Sequence, residues 1–151
     1  MPRALMPSDS SPQSAGSVSI PLAWADMDAF GHVNNVVYFR WLETARIDFC
    51  RRLGWMSLDV PPRGVGVILH SVQCRFRIPL TFPDTARVTS RVTAIEPDRI
   101  TLAHEVRSQA RGNALAADGS GIIVAYDYDR AAKAPIPPPV LEALHALATG
   151  S

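Results

Sequence analysis

Excess charge of either sign is missing from this chain. Its 15 Lys and Arg nearly balance 14 Asp and Glu, leaving a formal net charge of +1. No basic block, and no basic face interleaved with aromatics, stands out, so a nucleic-acid partner is not expected. No apolar run approaches the roughly 18–20 residues that span a bilayer, so membrane insertion is not expected either. Cysteine is scarce: Cys50 and Cys74 are the only two, which excludes a dense disulfide framework. They share no metal-like spacing and read as two reduced, buried thiols. His70, His104 and His145 likewise stand at no ligand spacing with Cys or acidic partners, so neither a metal nor another cofactor is expected. Met1 to Gly16 is rich in Ser and Pro but lacks a hydrophobic signal core. That stretch reads as a disordered tail, and the chain as cytoplasmic.

What is present is core material. Apolar residues make up 47% of the 151 and charged residues 19%, a globular composition with enough length for one domain, expected over residues 17–151. From Ser17 to Ala23, Val18, Ile20 and Leu22 alternate with smaller or polar residues, predicting a strand that Pro21 places at a sheet edge. A helix is predicted from about Val36 to Leu53. Tyr38, Leu42, Ala45, Phe49 and Leu53 recur on one stripe that Val37 and Trp41 widen, and Gly54 ends it. Arg40, Glu43, Asp48, Arg51 and Arg52 fall mostly on other faces, with Asp48 placed to pair with Arg51 or Arg52. After a Pro- and Gly-bearing loop the period changes to two. Strands are expected at about Val67–Phe76, Ala86–Glu96, Ile100–Ser108 and Leu115–Tyr128. Turns are expected at Pro83-Asp84, Pro97-Asp98, Arg111-Gly112-Asn113 and Asp118-Gly119. Pro137-Pro138-Pro139 opens a last helix, Val140 to Ala148. One long helix set early among antiparallel strands implies an α+β domain whose curled sheet, of about five strands, covers the helix. Such a sheet leaves edges that a second copy can pair, so a homodimer or homotetramer is expected.

The chemistry concentrates before the long helix, in Asp26-Met27-Asp28-Ala29-Phe30-Gly31-His32-Val33-Asn34-Asn35. The first turn of a helix has N–H groups without intrahelical acceptors, and the positive end of its dipole attracts negative charge. A carbonyl docked there has its oxygen polarised while Asp28 acts on the carbon or on an adjacent water, which is acyl-transfer chemistry. Asn34 is read as the N-cap and Asp26 as a structural holder of the loop.

This motif, its place before the helix and the strand order resemble the hotdog-fold thioesterases, most nearly the 4-hydroxybenzoyl-CoA thioesterase family with its Tol–Pal-associated acyl-CoA thioesterases. The resemblance spans about Ile20 to Leu147. It is densest from Asp26 to Arg46, with a second block in Arg75-Phe76-Arg77-Ile78-Pro79-Leu80 and Pro83-Asp84, and a third in Pro135-Ile136-Pro137-Pro138-Pro139. It implies Asp28 as the catalytic carboxylate and the backbone N–H of Asn35 as the donor that polarises a thioester carbonyl. Some relatives carry an aromatic or histidine side chain at the Asn35 position; here only the backbone role transfers. His32-Val33-Asn34-Asn35 is also similar to a string in plant acyl-carrier-protein thioesterases, which makes His32 an accessory acid or base. Phe30 stands where that branch has an asparagine, so its full division of labour does not transfer. Gly31 allows close approach of ligand. Asn34 and Tyr38 are candidate substrate contacts, the latter from the helix stripe. Among Arg75, Arg77 and Arg99, Arg99 is the first candidate for the phosphates of coenzyme A. The implied activity is acyl-CoA hydrolysis. A non-catalytic acyl-CoA-binding protein and an acyl-carrier-protein thioesterase are the alternatives.

Overall fold

A computed structural model describes residues 14–56 and 61–148. The chain runs β1 (Ser14–Pro21), α1 (Asn35–Arg52), β2 (Val65–Phe76), β3 (Thr85–Ile95), β4 (Arg99–Ser108), β5 (Ala114–Asp127), β6 (Ala132–Lys133) and α2 (Pro138–Ala148). The sheet order is β1-β3-β4-β5-β2, every pair antiparallel, with β6 beside the end of β5 where β4 has stopped. This is the α+β architecture expected. β1 is an edge strand, as Pro21 implied. It begins at Ser14, inside the segment expected to be tail; residues 1–13 lie outside the described residues. Two short elements were not foreseen, β6 and a 3-10 turn at Trp24–Asp26. The Asp118-Gly119 turn is corrected: both residues lie in the middle of β5, paired with Arg75 and Cys74.

The ends of α1 follow local rules. The Asn34 side chain accepts the Val36 N–H at 3.1 Å, capping the first turn. At the other end Gly54 takes φ +73, and two N–H groups, of Gly54 and Trp55, bond back to Arg51 and Cys50, a Schellman closure that a left-handed residue permits. Tyr38, Trp41, Leu42, Ala45, Phe49 and Cys50 are buried, and the Asp48–Arg52 pair on the outer side closes at 2.9 Å. Leu53, at the end of the expected stripe, is only partly buried.

Alternation sets the two faces of the sheet. Ala86, Val88, Ile100, Leu102, Val106 and Ala117 are fully buried against the helices, while their neighbours along each strand face away. Bulges at Leu69/Ser71, Val92/Ala94 and Val106/Arg107 interrupt the ladders and bend the strands. Gly119 is required by space. A Cβ there would meet the Gln73 carbonyl oxygen at 2.5 Å and the Leu42 side chain at 3.0 Å, so α1 sits close to the sheet at this point.

One polar cluster interrupts the apolar layer. His104 is 2% exposed, with Nδ1 3.0 Å from the Ser90 hydroxyl and Nε2 without a partner among the described residues. Burial, reinforced by the nearby Arg46 charge, pulls the imidazole down to about 4. A free histidine titrates near 6.5, so the neutral ring's contribution is complete above that value and is lost as pH falls toward 4, a loss of up to roughly 3 kcal/mol. Urea unfolding between pH 7.5 and 4.5 is expected to show this decline, and His104→Leu to flatten it. An unchanged slope in the variant would assign the decline to carboxylates instead.

Candidate active site

The loop that enters α1 is a small hairpin. Met27 and Val33 form an antiparallel bridge. The Asp28 N–H donates to the His32 carbonyl at 2.9 Å, and the Gly31 N–H to the Asp28 carbonyl at 3.0 Å. Gly31 takes φ +78, the left-handed position that follows a type I turn in a three-residue hairpin loop. The hairpin is tied at three points. The Val33 N–H donates to the Leu80 carbonyl at 2.9 Å, the Asn34 N–H to the Asp26 carbonyl at 2.9 Å, and the Phe82 N–H to the Met27 sulfur at 3.5 Å. Asp26 is the structural residue expected: its carboxylate accepts the Ala23 N–H at 2.8 Å and an Arg40 guanidinium N–H at 2.8 Å.

Asp28 is partly buried. Its Oδ1 accepts the Phe30 N–H at 2.9 Å; its Oδ2 has no partner among the described residues, and no cation pairs with it. At the helix start, the Val36 N–H goes to the Asn34 side chain and the Val37 N–H to the Asn34 carbonyl, leaving the Asn35 N–H without an acceptor among the described residues. One short segment therefore carries a carboxylate with an oxygen unpartnered among the described residues and, at the positive end of a helix of 18 residues, a main-chain donor likewise unpartnered. Gly31, His32 and Asn34 lie on the same hairpin, with His32 exposed.

Tyr38 lies one turn into α1 and is buried, its ring 4.9 Å from Trp41 and 5.1 Å from Phe76. Burial and the neighbouring Cys74 thiol push its phenol up to about 12, so it stays protonated. Arg99 is not brought to this place within one chain. It opens β4 at the turn from β3, whereas the loop is tied to Leu80 and to the Asp84 end, where the Leu22 N–H meets the Asp84 carbonyl. β3 separates the two by roughly 30 Å. Its guanidinium is held bidentate by Asp98 at 2.9 and 3.0 Å.

Sequence reasoning missed two features. Trp24, Phe30 and Val36, on or next to the hairpin along the chain, are 72%, 87% and 72% exposed; Phe39, Phe76 and Phe82 are exposed too, with the Phe39 and Phe76 rings 6.4 Å apart. One of these, Phe76, belongs to the Arg75–Leu80 block, which carried the signal without showing which way its aromatic faced. Arg111, on the β4–β5 turn, acts electrostatically on both Tyr38 and Asp84; nothing in its local sequence announces this. Among the described residues no three His, Cys, Asp or Glu side chains gather as a metal site, and no helix is long and apolar enough to cross a membrane.

The thioesterase-like superfamily pattern matches residues 22–144, and the chain belongs to that superfamily. By this membership it is a thioester hydrolase, and the sheet-and-helix arrangement above is its hotdog fold. Among solved structures it is similar to PA2801, a candidate thioesterase from Pseudomonas aeruginosa, at 25% identity and TM-score 0.78 over 87% of this chain and 99% of that one. BH1999 gentisyl-coenzyme A thioesterase is 23% identical, TM-score 0.76, over 85% and 99%. The DHNA-CoA thioesterase of Staphylococcus aureus is 18% identical, TM-score 0.76, over 89% and 90%; these last two likenesses are of fold. No curated protein matches the chain.

The left-handed backbone at Gly31 makes a direct prediction. Gly31→Val is expected to lose roughly 1–2 kcal/mol in urea unfolding, because a β-branched residue is strained at positive φ, while Gly31→Asn loses less. Equal losses would show that the turn is not held in this conformation.

Proposed function

We propose that the chain hydrolyses an acyl- or aroyl-CoA thioester to the free acid and coenzyme A at the Asp28–Asn35 hairpin. The observation that carries this reading is the pairing of a free Asp28 carboxylate oxygen with an unoccupied Asn35 N–H on one rigid turn. A thioester carbonyl lodged at the start of α1 places its oxygen on the Asn35 N–H. Asp28 then takes a proton from a water that attacks the carbon, or attacks the carbon itself to give an anhydride that water opens. In either route the negative charge that develops on oxygen is met by a main-chain donor and the helix dipole, a contribution of about 3–4 kcal/mol per donor in comparable sites. Collapse of the adduct breaks the carbon–sulfur bond, and the coenzyme A thiolate leaves and takes up a proton. His32, exposed on the same hairpin, is the accessory acid or base. The apolar side chains around the hairpin favour an apolar acyl or aryl group. Gentisyl- and DHNA-CoA thioesterases, whose names specify aromatic acyl groups, share the fold.

Arg99, remote from the hairpin within one chain, contacts coenzyme A only if a second copy supplies it. A homodimer through β2 fits this. β2 is the 12-residue edge strand opposite β1, and Ile68 and Leu69 on it are 42% and 39% exposed. An exposed apolar edge is a template for pairing with another strand. The two free thiols, Cys50 and Cys74, fit a reducing compartment such as the cytoplasm.

Asp28→Asn tests the chemistry cleanly, because an amide oxygen still accepts the Phe30 N–H and keeps the turn. Free-thiol release across an acyl-CoA panel is expected to fall about 100-fold or more with the melting temperature unchanged. Turnover within about threefold of wild type would falsify the catalytic role. Stoichiometric acyl-CoA binding without thiol release by the wild type would make this a binding protein. For the dimer, Ile68→Lys is expected to shift the mass measured by light scattering toward the monomer.

A further inference from the structure

The sheet face that points away from α1 carries a cleft of about 470 Å³ on β3, β4 and the β4–β5 turn, within the range of small-ligand sites. Arg87, Thr89 and Arg91 project into it from β3, since they alternate with Val88 and Ser90, which are buried. The register puts Arg87 directly opposite Arg107 on β4, and like charges facing across a ladder repel. The two carboxylates in the cleft are bonded to other arginines, so that Glu105 offsets the Arg107 charge but neither carboxylate bonds Arg87 or Arg91. Glu105 is held by Arg107 at 3.0 and 3.2 Å, and Asp118 by Arg77 at 3.0 and 3.1 Å. Arg87 and Arg91 have no hydrogen bond or ion pair among the described residues, and the hydroxyl of Thr89 stands between them. Four residues of strand separate them by about 13 Å, a span two long side chains can close over a ligand lying along Thr89. Planar guanidinium groups that carry a full charge and no partner suit phosphate oxygens above other anions.

We propose that this outer face is a second site, binding a nucleotide with at least two phosphate groups, one on Arg87 and one on Arg91. The site goes beyond the hydrolase reading and does not use the Asp28 hairpin, from which the sheet divides it. The same chemistry has two sources: a free nucleotide, or the phosphorylated adenosine end of coenzyme A itself. The test is calorimetric titration of adenosine 3′,5′-bisphosphate and of coenzyme A into the full chain, into Arg87→Gln/Arg91→Gln, and into Arg130→Gln as a control on a distant turn. The wild type and the control are expected to bind with an affinity that falls with salt, and the double variant to bind about 10-fold or more weakly. Its melting temperature is expected to hold, since neither arginine makes a hydrogen bond or ion pair among the described residues that the change would remove, so unfolding would not mimic the loss. If the nucleotide belongs to the substrate, the double variant also raises KM for acyl-CoA but not for the acyl-pantetheine; if it is a free effector, both KM values stay. Equal nucleotide affinity in the wild type and the double variant, or no binding to the wild type, overturns the site. Asp28→Asn retains nucleotide binding, so this outcome is independent of the fate of the hydrolase reading.

Discussion

The main-chain hydrogen bond from the Val33 N–H to the Leu80 carbonyl anchors the hairpin that carries the site. On one side of it is a hairpin whose turn needs a left-handed Gly31; on the other is the segment between β2 and β3 on which the hairpin rests. Val33 and Leu80 are both buried at this junction, so the bond is shielded from water, and breaking it would leave two main-chain groups unsatisfied. Everything proposed for Asp28 and Asn35 requires the hairpin to stand still. Three ties of this kind, together with the Asp26 carboxylate bonds, make it rigid before any ligand arrives.

The two faces of the sheet differ. Its inner face meets α1 closely at Leu42, where Gly119 has no side chain. Its outer face is a separate polar surface, where charge pairs use up Glu105 and Asp118 and leave Arg87 and Arg91 unmatched among the described residues. On the inner side, the buried Ser90–His104 pair is a place where stability depends on a protonation state.

Much of the architecture was legible because the local signals agreed with one another. Asn34 before α1 and Gly54 after it, with an apolar stripe between, fixed the helix to within a residue at each end. Period-two alternation did the same for β3 to β5 and missed only the first two residues of β2, and Pro21 marked the edge strand. Asp118-Gly119 was misread because a glycine beside an aspartate means a turn in local terms. The reason for Gly119 is the Gln73 carbonyl and the Leu42 side chain, supplied by strands and a helix distant in sequence. β6, two residues long, leaves no periodic trace. The hairpin motif was conspicuous, whereas nothing local showed how far Arg99, the candidate for the coenzyme A phosphates, stands from it along β3.

Residue order alone determined which elements form, since caps, turn residues and apolar spacing act within a few positions along the chain. It also placed the carboxylate and the helix start within one short segment, Asp28 and Asn35 being seven positions apart. Tertiary structure decided which groups are left unpaired. Whether an Asn35 N–H, an Asp28 oxygen or an Arg87 guanidinium is free depends on what every other element brings near it, and pairing across a sheet couples residues that share no local signal.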